Sequence, residues 1–242
     1  MKLQEVYDFL NSVSPFELQE KWDNSGLIVG DMRREVSQVV VSLDIDAEMI
    51  EEAKEGALFV VHHPLIFAKL AQLDFAKYPA NLIEKLILKK QSLIAMHTNF
   101  DQTHLNRYVF EKVLNFKLES EAPFICKTIG EWHYRDLLVH LKERLGLENL
   151  KVVGQKEIIR SIALTTGAGA SLSNMVEADC FLTGDIKYHD AMKAMSENLM
   201  MVEIGHYESE RFFAEILLDE LKVLPILAII ANSKNPFHFE TL

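Results

Sequence analysis

Apolar residues at Leu3, Val6, Tyr7, Phe9, Leu10 and Val13 recur with helical spacing, so the chain opens on an amphipathic helix. Ser14-Pro15 ends it, because the residue before a proline disfavours the α region, and 15–18 read as a short further turn. Trp22-Asp23-Asn24-Ser25 are turn formers leading into a short apolar strand, Leu27-Ile28-Val29, closed by Gly30. Val39-Val40-Val41 is a β-branched run fit for a buried strand. A helix follows over 46–55, with Asp46 as N-cap and Gly56 at its end, and then a strand over 57–61. Strand, helix and strand of these lengths make a βαβ unit, which predicts parallel strands and a right-handed crossover. A helix over 80–89 and a strand over 92–96 continue the rhythm.

Residues 115–135, with Pro123 and Gly130, interrupt that rhythm and mark a boundary between lobes. Beyond it the pattern predicts an amphipathic helix over 134–145, a strand over 161–165, a helix over 171–178 and strands at 180–182 and 202–204. A helix from His206 to about Lys222 and an apolar strand over 225–231 close the series. Segments 39–63 and 161–189 share one plan of strand, turn, helix and strand ending in polar residues with histidine, although few residues are identical. The expected fold class is therefore α/β, with two similar lobes, each a mixed, mostly parallel sheet flanked by helices, facing across a cleft. The first lobe is expected over 1–124 plus 200–242 and the second over 125–199.

Polar residues gather where strands stop. His62-His63 follows the run Leu58–Val61, and Pro64, which lacks an N–H, ends the ladder there. Inside a strand two neighbouring side chains would point to opposite faces, whereas beyond its end both imidazoles can turn into one crevice, the usual ligand position of open α/β sheets. Taken alone they read equally well as unrelated loop histidines. His97 and Asp101 end the 92–96 strand in the same way. Asp101 reads as a ligand or as the cap of a helix over 105–114, and His97 as a site residue or a satisfied buried histidine. His206 and Glu210 stand at i and i+4 and share a face at a helix start, while Glu208 suits the helix dipole there. Asp23 and Asn24 are placed to orient groups in a site, or simply to form the turn before Gly26. Gly167-Ala168-Gly169 has the outline of a phosphate cradle, but Leu172 occupies the third glycine position, so a plain turn is expected. His133 and His140 have no partner at ligand spacing and are assigned to the surface.

Imidazole with carboxylate suits Zn, Fe, Mn or Ni rather than Mg or Ca. Five such side chains, His62, His63, Asp101, His206 and Glu210, exceed the three protein ligands usual for one catalytic zinc. They are better matched to two divalent ions about 3.5–4 Å apart.

The 242 residues are 49% hydrophobic and 25% charged, an ordinary globular composition. The net charge of −11 repels nucleic-acid phosphates unless a basic patch or a metal overrides it, which favours a small-molecule ligand over duplex nucleic acid. No apolar run approaches the roughly 18 residues of a membrane span, and the N-terminus lacks a secretory pattern. Cys126 and Cys180 lie far apart without CxxC spacing, which fits a reducing compartment, so a cytoplasmic location is expected.

Val61-His62-His63-Pro64-Leu65-Ile66-Phe67, His97-Thr98-Asn99-Phe100-Asp101, Thr183-Gly184-Asp185-Ile186-Lys187-Tyr188-His189 and Gly205-His206-Tyr207-Glu208-Ser209-Glu210 together resemble the Nif-three-like family. Its members are often labelled GTP cyclohydrolase I type 2 homologs or dinuclear-metal-centre proteins. Trp22-Asp23-Asn24-Ser25-Gly26-Leu27, the Gly167-Ala168-Gly169 turn and Asn235-Pro236-Phe237 fit as well, so the resemblance spans nearly the whole chain. It implies a di-metal site in a cleft between two lobes, with ligands at His62, His63, Asp101, His206 and Glu210 and with His97 ligating or supporting. It also implies a ring-shaped homohexamer whose sites face an internal cavity. The label implies hydrolysis of the GTP purine ring with loss of formate. For that chemistry His97 or His189 is a candidate to move protons, and Asp185 and Asn24 are candidate substrate contacts. The same site would also serve a two-metal phosphoester hydrolase or a non-catalytic, metal-binding regulatory ring. Two departures stand out. The chain has no room for the large domain that some members insert between lobes, and Gln102-Thr103-His104 replaces a glycine-containing turn after Asp101.

Overall fold

The computed structural model describes residues 1–238 and 240. Among these the strands are β1 (Gly26–Val29), β2 (Val39–Ser42), β3 (Leu58–Val61), β4 (Ser92–Ala95), β5 (Ser120–Ala122), β6 (Ile125–His133), β7 (Lys151–Val153), β8 (Ile158–Thr165), β9 (Cys180–Thr183), β10 (Met200–Glu203) and β11 (Ala228–Ile230). They form two sheets, ordered β1-β4-β3-β2-β11 and β5-β6-β8-β9-β10-β7. The chain divides into two units, Met1–Phe100 with Phe213–Leu242, and Asp101–Phe212, each holding one sheet. The class is α/β, with mixed sheets flanked by helices, as expected.

In the first unit β2, β3, β4 and β11 run parallel and β1 pairs antiparallel with β4 at the edge. Every residue of β2, β3 and β4 is buried, which is why these runs are apolar throughout and do not alternate. Val40, Phe59, Val61 and Leu93 pack with Ile50, Leu82, Ile83 and Leu86 from the helices Ala47–Glu52 and Ala80–Leu88. Each such fully buried side chain stabilises the unit by about 1.5–3 kcal/mol relative to exposure. Asp46 caps its helix as predicted, accepting from Met49 N at 2.8 Å. The strand order β4-β3-β2 has a consequence for chemistry: the carboxyl ends of three adjacent parallel strands open side by side.

The second unit repeats this with β8, β9 and β10, parallel and adjacent, while β6 and β7 flank them antiparallel. Phe181, Ala163 and Met201 form its core with Ala170, Ala194 and Leu199. The unit opens at Asp101 with a π-helical turn, Asp101–Leu105, a geometry often found at functional sites.

The observed units correct the expected lobe limits of 1–124 plus 200–242 and 125–199: residues 101–124 and 200–212 belong to the second unit. β10 hydrogen-bonds β9 and β7, and the stretch expected to mark the boundary between lobes is a β5–β6 hairpin turning through Phe124, at φ 66°. The pattern concealed it because β5 is wholly exposed and β6 is mostly exposed along its second half. The helix expected over 206–222 is two, His206–Glu210 and Phe213–Leu221, and the unit boundary falls at the break. Residues 171–178 form no α-helix; a 3-10 helix covers Gly169–Met175. Among the described residues no helix is long and apolar enough to cross a membrane.

Candidate metal centre

In the first unit, both adjacent histidines leave the ladder at the end of β3. The His62 and His63 amides donate to Leu43 O, each at 3.1 Å, which fixes their backbone against the end of β2. His62 is fully buried, and its Nδ1 lies 2.9 Å from Met96 O, just past β4. A carbonyl only accepts, so Nδ1 carries the hydrogen and Nε2 keeps its lone pair. His63 Nδ1 lies 2.8 Å from Asp44 Oδ1, past the end of β2. His97 Nδ1 lies 2.7 Å from Asp23 Oδ1. The three rings stand 5.1 to 5.7 Å apart by centroid, and their ligand-type nitrogens lie within 4.8 Å of one another. Phe213 covers His62 from one side at 5.0 Å.

Asp23, expected from the sequence to orient groups in a site, is the anchor of His97. Its side chain has no exposed surface, and it accepts from Asn24 N, Ser25 Oγ, Thr98 N, Thr98 Oγ1 and His97. Burial alone would raise its pKa, but these donors outweigh burial and hold the carboxyl well below the usual range.

In the second unit, Gly205 at φ +80° turns the chain from β10 into His206–Glu210. His206 Nδ1 lies 2.6 Å from Asp185 Oδ2, and its Nε2 lies 3.0 Å from Glu210 Oε2. Burial disfavours charge on this imidazole, yet hydrogen bonds to Asp185 and Glu210 raise its pKa to about 10. The hydrogen bond to His206, partly offset by burial, in turn lowers the pKa of Asp185. A cation reaching Nε2 would take the place of that proton.

Glu210 is buried, and the space for its carboxylate is made by Gly167. Gly167 holds φ +59°, and a Cβ there would stand 2.0 Å from Glu210 Oε1. Its N–H donates to Ser209 Oγ at 3.1 Å, and its carbonyl accepts from Gly184 N at 2.7 Å. The glycine-containing turn is thus a cradle for a carboxylate side chain, and no phosphate role is needed to explain it. Asp101, half-buried, accepts from Thr166 Oγ1 at 3.4 Å, and Asn106 ties its carbonyl and Thr166 N together.

The structure therefore gathers His62, His63 and His97 in one unit and His206 with Glu210 in the other, where Asp101 is held by the 166–167 turn. Asp185, expected as a substrate contact, is engaged with His206. Asn24 Nδ2 donates to Ile66 O at 2.6 Å, a tie between loops. His189 is exposed on the helix Tyr188–Ser196, edge-on to Tyr188, and belongs to none of the metal-capable groups among the described residues. His140, assigned to the surface, is half-buried, with Nε2 2.7 Å from Leu114 O. Asp44 and the Met96 carbonyl, which orient His63 and His62, were missed from sequence; the available hint was their position at strand ends.

All four clustered histidines present Nδ1 to an oxygen acceptor, the arrangement that orients Nε2 to ligate a metal or, as a base, to take a proton. With a buried glutamate beside one of them, the donor set fits a first-row divalent ion. Fold and side chains together define a two-sheet α/β protein with histidine–carboxylate groups able to hold metal at the carboxyl ends of parallel strands.

The chain belongs to the Duf34/NIF3 (NGG1p interacting factor 3) family, which it matches over residues 1–236. It is 46% identical over 241 residues to the GTP cyclohydrolase 1 type 2 homolog of Campylobacter jejuni, covering 99% of this chain and 100% of that one. It is 42% identical over 236 residues to the GTP cyclohydrolase 1 type 2 of Helicobacter pylori, covering 97% of each. Its fold is similar to the crystal structure of a Staphylococcus aureus protein, with a TM-score of 0.85, 25% identity and 99% of each chain covered.

Proposed function

We propose that this chain is a metal-dependent hydrolase. In this reading His62, His63, Asp101, His206 and Glu210 hold two divalent cations, and the substrate is a guanosine nucleotide whose purine ring opens with loss of formate. The observation that carries the reading is the Nδ1 partner of every clustered histidine, from Met96 O, Asp44, Asp23 and Asp185. The names of the Campylobacter and Helicobacter relatives support the substrate.

Divalent cations at these ligands would lower the pKa of water and polarise the substrate. The chain's own groups supply the rest. His97, aligned by buried Asp23, is placed to take a proton from the attacking water and return it to the departing ring nitrogen. Two waters are consumed: the first adds at C8 and one C8–N bond opens, and the second cleaves the remaining C8–N bond to leave formate. Asp185 positions His206 and does not contact substrate in this scheme.

The same reading includes a homo-oligomer, a hexameric ring. Leu70, Leu73, Phe75 and Tyr78, 39% to 71% exposed along one segment, support self-association. Light scattering should give a mass several times 27.7 kDa, and a monomer would remove this part.

The test is formate release from GTP by protein of defined metal content, with His62→Ala/Asp101→Ala as control. Release that disappears in the control is expected. A metal-replete wild type that releases no formate with any of Zn, Fe, Mn or Ni overturns the reading.

A further inference from the structure

Two large aromatic side chains stand exposed beside the first unit's histidines. Trp22 is 58% exposed and Phe67 54%. Their rings lie 5.8 Å apart, and each stands 6.1 Å from His97 at an interplanar angle of 77°. The three rings thus mark the corners of a near-equilateral triangle, with one corner belonging to the metal-capable group.

These aromatics are exposed but tied down. Trp22 immediately precedes Asp23, whose buried carboxylate collects the hydrogen bonds described above. Phe67 immediately follows Ile66, whose carbonyl accepts from Asn24 Nδ2 at 2.6 Å. One network therefore fixes the backbone next to both rings and also aligns His97. Holding apolar rings in water without covering them gains nothing for folding, whereas a surface already ordered loses little entropy when a ligand lands on it.

Charge narrows the choice of ligand. On a chain of net charge −11, phosphate groups gain little from the protein itself, so discrimination must come from an uncharged part of the substrate. Aromatic faces recognise planar rings of any sequence or charge through stacking.

We propose that Trp22 and Phe67 form a stacking platform for the planar heterocycle of the substrate and hold its edge toward His97. Their 5.8 Å separation is too small for a ring to slip between them, so the heterocycle lies on their exposed faces. The proposal rests on the hydrolase reading and names the residues that bind the planar ring of the substrate there.

The experiment measures equilibrium binding of guanosine, GTP and inorganic triphosphate to the metal-loaded full chain by calorimetry. The proteins compared are wild type, Trp22→Ala, Phe67→Ala, and the ring-preserving Trp22→Phe and Phe67→Tyr. Both positions are largely exposed, so the variants should fold, and metal content is measured on each. The proposal expects each alanine variant to bind guanosine and GTP about tenfold or more weakly. Inorganic triphosphate and metal content should stay at wild-type levels, and the ring-preserving variants should recover most of the affinity.

Guanosine affinity unchanged in both alanine variants overturns the platform. So does a parallel loss of triphosphate affinity or of metal, which would make the effect one of site integrity. A change of oligomeric mass without change in guanosine affinity overturns it in favour of a subunit contact. If wild type binds neither guanosine nor GTP, the guanosine-nucleotide reading fails and the platform is overturned with it, whereas wild-type binding that survives in the alanine variants overturns the platform alone.

Discussion

The two units solve one problem by different means. Each places its chemistry beyond three adjacent parallel strands, β4-β3-β2 in one and β8-β9-β10 in the other. The first unit spreads its histidines over two strand ends and holds each from outside, by the Met96 carbonyl, Asp44 or Asp23. The second puts His206 and Glu210 on one helical turn; Asp185 holds His206 as in the first unit, but space must also be cleared, by Gly167 for Glu210 and by Gly184 beside His206. A set held by hydrogen bonds should weaken by degrees when a partner is lost. A set held by steric clearance should fail abruptly when the clearance is filled.

The largest effect should come from striking both sets at once. His62→Ala/Glu210→Ala is expected to lose essentially all metal on dialysis, measured by elemental analysis, and retention at the wild-type level would break the ligand assignment. Gly167→Ala separates the two mechanisms. Its new Cβ meets Glu210 Oε1 at 2.0 Å, and its φ of +59° disfavours any side chain. A loss of about 1–3 kcal/mol in urea unfolding is expected, together with weakened metal binding. If stability and metal affinity both stay at the wild-type level, the clearance is not essential.

The graded prediction concerns the orienting carboxylates. Asp44→Asn and Asp185→Asn should each lower metal affinity by about 10–100-fold without abolishing it, as read by competition with a chromophoric chelator. Loss as complete as in the ligand double variant would mean that these carboxylates bind the ion directly. The smallest effect is expected at the cysteines. Burial pushes both Cys126 and Cys180 up to about 12, so they stay protonated and shielded. Iodoacetamide should leave both thiols unlabelled in the native protein and label both in urea. Native labelling that also strips metal would bring sulfur into the site.

The first unit was the more legible in sequence. β2, β3 and β4 are continuous apolar runs, and Pro64 after His62-His63 announces a strand end. His206 and Glu210 were equally visible through their i, i+4 spacing. Hidden were relations that depend on strand order. Asp44 meets His63 across 19 residues and Met96 meets His62 across 34, and no local pattern encodes either. Gly167 read as an ordinary turn because its need for glycine comes from Glu210, a distant side chain. β5 and β7 are three-residue edge strands with no buried residue to betray them, and without them the unit boundary could not be placed.

The central claim is that both ligand sets bind metal, and the most direct measurement is metal stoichiometry. The metal-stripped chain is titrated with Zn or Mn by calorimetry, with elemental analysis after dialysis, beside His63→Ala and His206→Ala. The account predicts two ions per wild-type chain and a lower number in each variant. Two ions retained by either variant at unchanged affinity, or none bound by wild type, would contradict it.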